Sequence, residues 1–323
     1  MSSMYLAADI GGTNCRVAIS DIQDGRWRIR YRGTYPSQSY PSAEWILRDF
    51  LGACGSPALT GAGIAVAGPV VDGRAQLTNV TWQVDAARLA AALDDLPVVL
   101  LNDFEAIGHG LSALGTEDLV TLQPGQPQSG APKLLVGAGT GLGVGLLVPC
   151  GDQYKALSSE GGHADFAPRG DTEVALLRHL SERHGHVSWE RIVSGPGLEA
   201  IYGFLREKAE EGPKVLPASE VAEAALAQTD TWAVRALETF VSAYGAFAGN
   251  LALALLPRGG IFVAGGIAPR ILPKLTDGLF LRSFSAKGRF AGLLAEMPVH
   301  VVTNGDVGLL GALEAARARS GAL

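Results

Sequence analysis

MYLAADIGGTNCRVAIS, Met4 to Ser20, decides how the chain is read. Two apolar segments flank Gly11, Gly12, Thr13 and Asn14, and the second, Arg16 to Ser20, alternates and favours β structure. The pattern predicts strand, tight turn, strand. That context excludes two common nucleotide motifs. A dinucleotide fingerprint needs G-x-G-x-x-G between a strand and a helix, and a P-loop needs G-x-x-x-x-G-K-[ST]. Neither spacing fits here, and the chain contains no Gly-Lys pair. Glycines in such a turn let backbone N–H groups come close to an anion; an ordinary hairpin turn is the competing reading.

The same form returns in KLLVGAGTGLGVGLLV, Lys133 to Val148, where Gly139, Thr140 and Gly141 sit between two apolar runs. Two such hairpins, one near the start of each half, predict a duplicated unit whose turns face each other across a cleft. Between them they can hold successive phosphates of one nucleotide, with Asp9 placed to bind Mg²⁺ directly or through water, because hard cations prefer carboxylate oxygen. Gly265 and Gly266, after the apolar run Ile261 to Ala264, read on their own as a strand-to-helix turn.

LPVVLLNDFEAIG, Leu96 to Gly108, supplies the chemistry. The β-branched run from Pro97 to Leu101 predicts a short buried strand, and Asn102 and Asp103 follow at its C-terminal end, where open α/β sheets present ligand-binding groups. Asp103 is the candidate general base. Downstream, Ser158 to Phe166 places Glu160 and His163 beside paired glycines, a set of acceptors and one switchable donor suited to a polyhydroxyl ligand; a turn with a solvated glutamate is the alternative. Asn79 and Trp82 read either as the floor of the cleft or as a hydrophobic corner. Glu190 precedes Ser194, Gly195 and Pro196, where Ser194 or Gly195 can cap a helix; a plain surface glutamate competes. His179, His184 and His186 lie where a helix ends in Gly185 and read as surface histidines rather than a metal cluster.

Composition bounds the class. With 323 residues, 47% of them apolar and 18% charged, two α/β lobes are expected, a smaller one over residues 1–110 completed by a terminal helix over 306–323, and a larger one over 111–305. A net charge of −6 without any Lys/Arg-rich run argues against a nucleic acid partner, while ATP remains accessible through Mg²⁺ and backbone amides. Cys15, Cys54 and Cys150 are odd in number and widely spaced, which points to reduced thiols in the cytoplasm. The longest apolar run, Leu134 to Val148, is too short and too rich in glycine for a membrane span.

Taken together and in order, DIGGTN, LTNVTW, NDFEAI, GAGTGLG, SEGGHADFAP, SGPGLEAIY, GNLAL, FVAGGIAPR, KGRF and GLLGA closely resemble the bacterial ATP-dependent glucokinases of the sugar kinase/actin/heat-shock ATPase superfamily. The resemblance runs nearly end to end and implies a two-lobed actin-like, ribonuclease H-like ATPase fold. It implies phosphorylation of D-glucose by ATP and Mg²⁺ at the entry of glycolysis, in a cytoplasmic homodimer. Asp9 to Asn14 resembles the family's first phosphate motif, Gly137 to Gly143 its second, and Ala264 to Ile267 its adenosine motif. Asp103 matches the catalytic base, and Asn102, Glu160, His163 and Glu190 match residues that bond the sugar hydroxyls. The cysteine-rich zinc motif of a related repressor and kinase group has no counterpart after His163, which favours the zinc-free group. A kinase for another hexose and an actin-like nucleotide switch are the remaining readings; a switch has no use for a base on the sugar side.

Overall fold

The computed structural model describes residues 3–77, 82–151, 153–212 and 214–321, which fall into two compact units: Met1–Thr116 with Asn304–Leu323, and Glu117–Thr303. In the first unit the predicted hairpin forms from β1 (Met4–Ile10) and β2 (Asn14–Gln23), and β3 (Arg26–Pro36) extends it into an antiparallel meander. After α1 (Ala43–Ala53), β4 (Gly61–Val66) pairs parallel to β1. A small separate sheet follows, made of β5 (Val70–Val71), β6 (Arg74–Gln76) and β7 (Gln83–Asp85). Its first turn carries positive φ at Asp72 and Gly73, as a two-residue hairpin loop requires. Helix α2 (Ala86–Ala92) is capped by the Asp85 carboxylate and leads into β8 (Val98–Asn102), which pairs parallel to β4. The main sheet therefore runs β3-β2-β1-β4-β8.

Both faces of this sheet are covered, which is why β1 and β4 read as continuous apolar runs rather than alternating ones. Side chains on a strand alternate faces. Leu6, Ala8 and Ile10 of β1 pack with Ile46, Leu47 and Phe50 of α1 and Leu89 of α2. Tyr5 and Ala7 pack with Leu309, Ala312, Leu313 and Ala316 of the terminal helix, Val307–Arg319. The terminal helix also lies against α3 (Asp103–Gly110), so the last segment of the chain completes the core begun by the first.

The second unit repeats the scheme. Here β10 (Lys133–Ala138), β11 (Leu142–Cys150) and β12 (Gln153–Ser159) form the meander, while β13 (Gly260–Ala264) and β14 (Val299–Val302) add in parallel. One further strand, β9 (Leu119–Gln123), closes the edge antiparallel to β14, giving the order β12-β11-β10-β13-β14-β9. Helices α4 (Gly170–His184), α5 (Gly195–Lys208), α6 (Ala218–Leu226), α7 (Thr231–Leu255), α8 (Leu272–Thr276), α9 (Leu279–Ser285) and α10 (Ala291–Ala295) complete it. The core helix is α7, capped at its start by the Asp230 carboxylate. From its middle, buried Tyr244 donates to Val136 O and accepts from Ala138 N, each at 3.2 Å, fastening α7 to the strand that leads into the second glycine turn. The GNLAL and KGRF stretches meet here too: Lys287 Nζ donates to Asn250 Oδ1 at 2.6 Å.

Candidate active site

The first glycine turn closes on itself, with Gly11 N–H donating to Asn14 O at 2.9 Å. Ser37 secures it from outside, its N–H donating to Thr13 O and its hydroxyl to Gly11 O at 2.7 Å. The Gly12 and Thr13 amides bond no acceptor among the described residues, so they are the groups available to an anion. Asp9, next to the last residue of β1, stands opposite Arg16 in the hairpin register. The Arg16 guanidinium bonds Asp9 Oδ2 and also donates to Gly305 O at 2.7 Å, tying the hairpin to the start of the terminal helix. Sequence reasoning missed Arg16. An opposite-charge cross-strand pair is a recognisable signal, but only once the turn length has fixed the register.

At the end of β8, Asn102 is the cap of α3: its Oδ1 accepts from Phe104 N at 2.9 Å and Glu105 N at 3.3 Å, while Nδ2 donates to Gly68 O at 3.0 Å. An amide is required for this double role, since a carboxylate could not donate to Gly68. Locking Asn102 fixes the backbone that carries Asp103 as first residue of the helix. Burial, and then the negative charge of Asp9, push the Asp103 carboxyl from the usual 3.8 up to about 6, against the opposing pull of the Phe104 N–H at 3.0 Å. A carboxylate so poised is ionised at neutral pH yet basic enough to take a proton. A carbon-detected NMR titration is expected to show one aspartate midpoint near 6, absent in Asp103→Asn and displaced downward in Asp9→Asn. An unmoved midpoint in Asp9→Asn would show that Asp9 does not act on Asp103.

In the second unit, Gly139 N–H donates to Gly141 O at 2.8 Å, and Leu142 N–H donates to Glu190 Oε2 at 2.9 Å. Those two amides are spent, leaving the Thr140 and Gly141 amides among the described residues for an anion. Gly265 and Gly266 end β13 beside the same turn, with Ile267 N–H donating to Ala138 O at 3.2 Å. Three of the predicted sugar-side residues converge here: His163 lies 3.7 Å from Glu160 by Nε2 and 3.9 Å from Glu190 by Nδ1. All three carry exposed polar atoms, the arrangement a hydroxyl-rich ligand needs.

Asn79 lies outside the described residues. Trp82 is buried, its indole N–H bonded to Tyr40 O at 3.2 Å, and serves as a hydrophobic corner. Cys15 is buried beside the first turn, and burial followed by the Asp9 charge pushes its thiol up to about 12, which leaves little of the nucleophilic thiolate at neutral pH. His186 bonds Asp165 at 2.7 Å and the His179 ring rests against Phe204. Among the described residues no group of three or more His, Cys, Asp or Glu could hold a metal ion, and no helix is long and apolar enough to cross a membrane. The Asp9 carboxylate is ion-paired through Oδ2 with Arg16, and an ion that keeps most of its waters, as Mg²⁺ does, needs only one or two carboxylates rather than an all-protein cage.

Two α/β units sharing a meander followed by parallel strands, each with a glycine turn between the first two strands of the meander, define an actin-like ATPase. A glucokinase from an Antarctic psychrotroph superposes with a TM-score of 0.86 at 32% identity, covering 98% of this chain and all (100%) of that one. The glucokinase of Balamuthia mandrillaris, solved with glucose, shares the fold at a TM-score of 0.81 and 24% identity, covering 98% and 94% of the two chains. The glucokinase of Nostoc sp. is 44% identical over 96% of this chain and 98% of its own length. The Glucokinase family model matches residues 6–319, and the chain belongs to that family.

Proposed function

We propose that the protein transfers the γ-phosphoryl group of ATP to the 6-hydroxyl of D-glucose, giving glucose 6-phosphate and ADP. The observation that carries the mechanism is Asp103, a carboxylate held at the end of β8 with its pKa raised to about 6 in a chain of the glucokinase family. An alcohol is a weak nucleophile, so Asp103 accepts the hydroxyl proton as the oxygen attacks phosphorus in line and ADP leaves. On the second unit, Glu160, His163 and Glu190 hold the remaining hydroxyls. The free amides at Gly12, Thr13, Thr140 and Gly141 take the phosphates, and a Mg²⁺ held at Asp9 would neutralise phosphate charge. The glucose found with the Balamuthia enzyme supports the sugar assignment.

Coupled measurement of ADP from Mg-ATP with D-glucose, D-mannose, D-fructose and N-acetylglucosamine in parallel tests this reading. Glucose is expected to give the highest kcat/KM; stimulation only by another hexose corrects the substrate, and none by any sugar sinks the assignment. Glu160→Ala and His163→Ala are each expected to raise the glucose KM about 10–100-fold, as the loss of a hydrogen bond worth ~1–3 kcal/mol predicts, with the ATP KM near its original value. A selective rise in the ATP KM would place this cluster at the nucleotide instead.

A further inference from the structure

The glycine at position 141 has a second task. Glycines of a phosphate turn are usually explained by the ligand's approach, but the space a side chain would fill here is taken by protein. A Cβ built on Gly141 lies 2.5 Å from Glu190 Oε2 and 3.4 Å from its Cδ. The neighbouring Leu142 N–H is the donor that holds that oxygen, leaving Oε1 on the side of His163. The backbone beneath Glu190 is fixed as firmly: buried Ser194 donates its hydroxyl to Glu190 O at 2.7 Å and accepts from Gly197 N at 3.1 Å, while Gly195 N–H donates to Gly139 O at 2.8 Å. Segment 190–195 is thus bolted to the glycine turn at both ends, by a carboxylate at Leu142 and by an amide at Gly139.

We infer that Gly141 and Ser194 are positioning residues for Glu190, and that the second glycine turn seats the sugar-binding carboxylate as well as a phosphate. This rests on the reading of Glu190 as a sugar ligand. One carboxylate oxygen is spent on the turn, so Glu190 meets a hydroxyl chiefly through Oε1, in one orientation. Any movement of the turn when phosphate binds then moves the sugar contact with it.

Gly141→Ala separates this from a phosphate-only role. Its φ is outside the left-handed region, so alanine suits the backbone, and the atom it meets is the tip of a flexible side chain, which yields without unfolding the turn. The expected result is a glucose KM raised at least ~10-fold, an ATP KM within about threefold, and a melting temperature lowered by no more than a few degrees, the cost of the lost Leu142 bond. In the Glu190→Ala background the same substitution is expected to leave the glucose KM where Glu190→Ala alone put it, since the carboxylate it displaces is gone. A rise confined to the ATP KM, an equal rise in both, no change in either, or full additivity with Glu190→Ala would each overturn the inference. If Glu190→Ala raises the glucose KM but Gly141→Ala does not, the positioning role fails alone. If Glu190→Ala leaves it unaltered, the sugar role of Glu190 fails and this inference falls with it.

Discussion

Asp103→Asn is expected to abolish useful turnover while making the protein more stable at neutral pH. Loss of an acid-base group costs roughly 10²–10⁴-fold in kcat, and nothing else is asked of this side chain that asparagine cannot supply. Its Oδ1 can still accept from Phe104 N, and the phosphate amides lie on other segments, so binding of a non-hydrolysable ATP analogue should persist. The stability effect follows from the same raised pKa. A carboxyl that titrates at 3.8 when unfolded and about 6 when folded favours the native state fully below pH 3.8, and that contribution is lost as pH rises through 6. At pH 7.5 the folded protein therefore holds a charge that burial and Asp9 disfavour. The amide of the variant carries no such charge, so the melting temperature of Asp103→Asn should exceed that of the wild type at pH 7.5 and lose this advantage near pH 4. Turnover within tenfold of wild type would remove Asp103 as the base; equal melting temperatures at pH 7.5 would show that its environment does not disfavour charge.

Gly311→Val is expected to lower the melting temperature by roughly 5–10 °C, from an overpacking cost at the upper end of ~1–3 kcal/mol and a shift of ~2–4 °C per kcal/mol. A Cβ at Gly311 would lie 1.7 Å from Ala106 O and 2.6 Å from Gly110 N, both backbone atoms of α3. Unlike a side-chain tip, a helix backbone cannot step aside without moving its neighbours. Since α3 begins at Asp103, the strain should also reach turnover in whatever fraction stays folded. A variant that melts within a degree of wild type would show that the terminal helix is not packed this closely on α3.

Much of this was legible because the signals are local. Alternation and glycine punctuation specify both hairpins without reference to anything distant, and an apolar run ending in Asn102-Asp103 announces a strand that delivers polar groups at its C-terminal end. Ser194 as a cap needed only its place before Gly195 and Pro196. Contacts set by register or by tertiary approach were not legible. The Arg16–Asp9 pair depends on which residues of β1 and β2 stand opposite, and the bond from Leu142 N–H to Glu190 joins segments that no periodicity connects. The antiparallel edge strand β9 and the three-stranded sheet β5-β6-β7 are also absent from the pattern, being short pieces whose pairing comes from their surroundings.

The terminal helix sets an order of events during synthesis. Its residues Leu309, Ala312 and Leu313 fill the core against Tyr5 and Ala7, yet the ribosome makes them only after the whole of Glu117–Thr303. The unit in the middle of the chain can close its core while the earlier one still waits, with one face of β1 uncovered, for the last helix to emerge. Nascent chains stalled before Val307 should therefore yield a protease-resistant core from the second unit alone, and the candidate base at Asp103 should acquire its buried setting last.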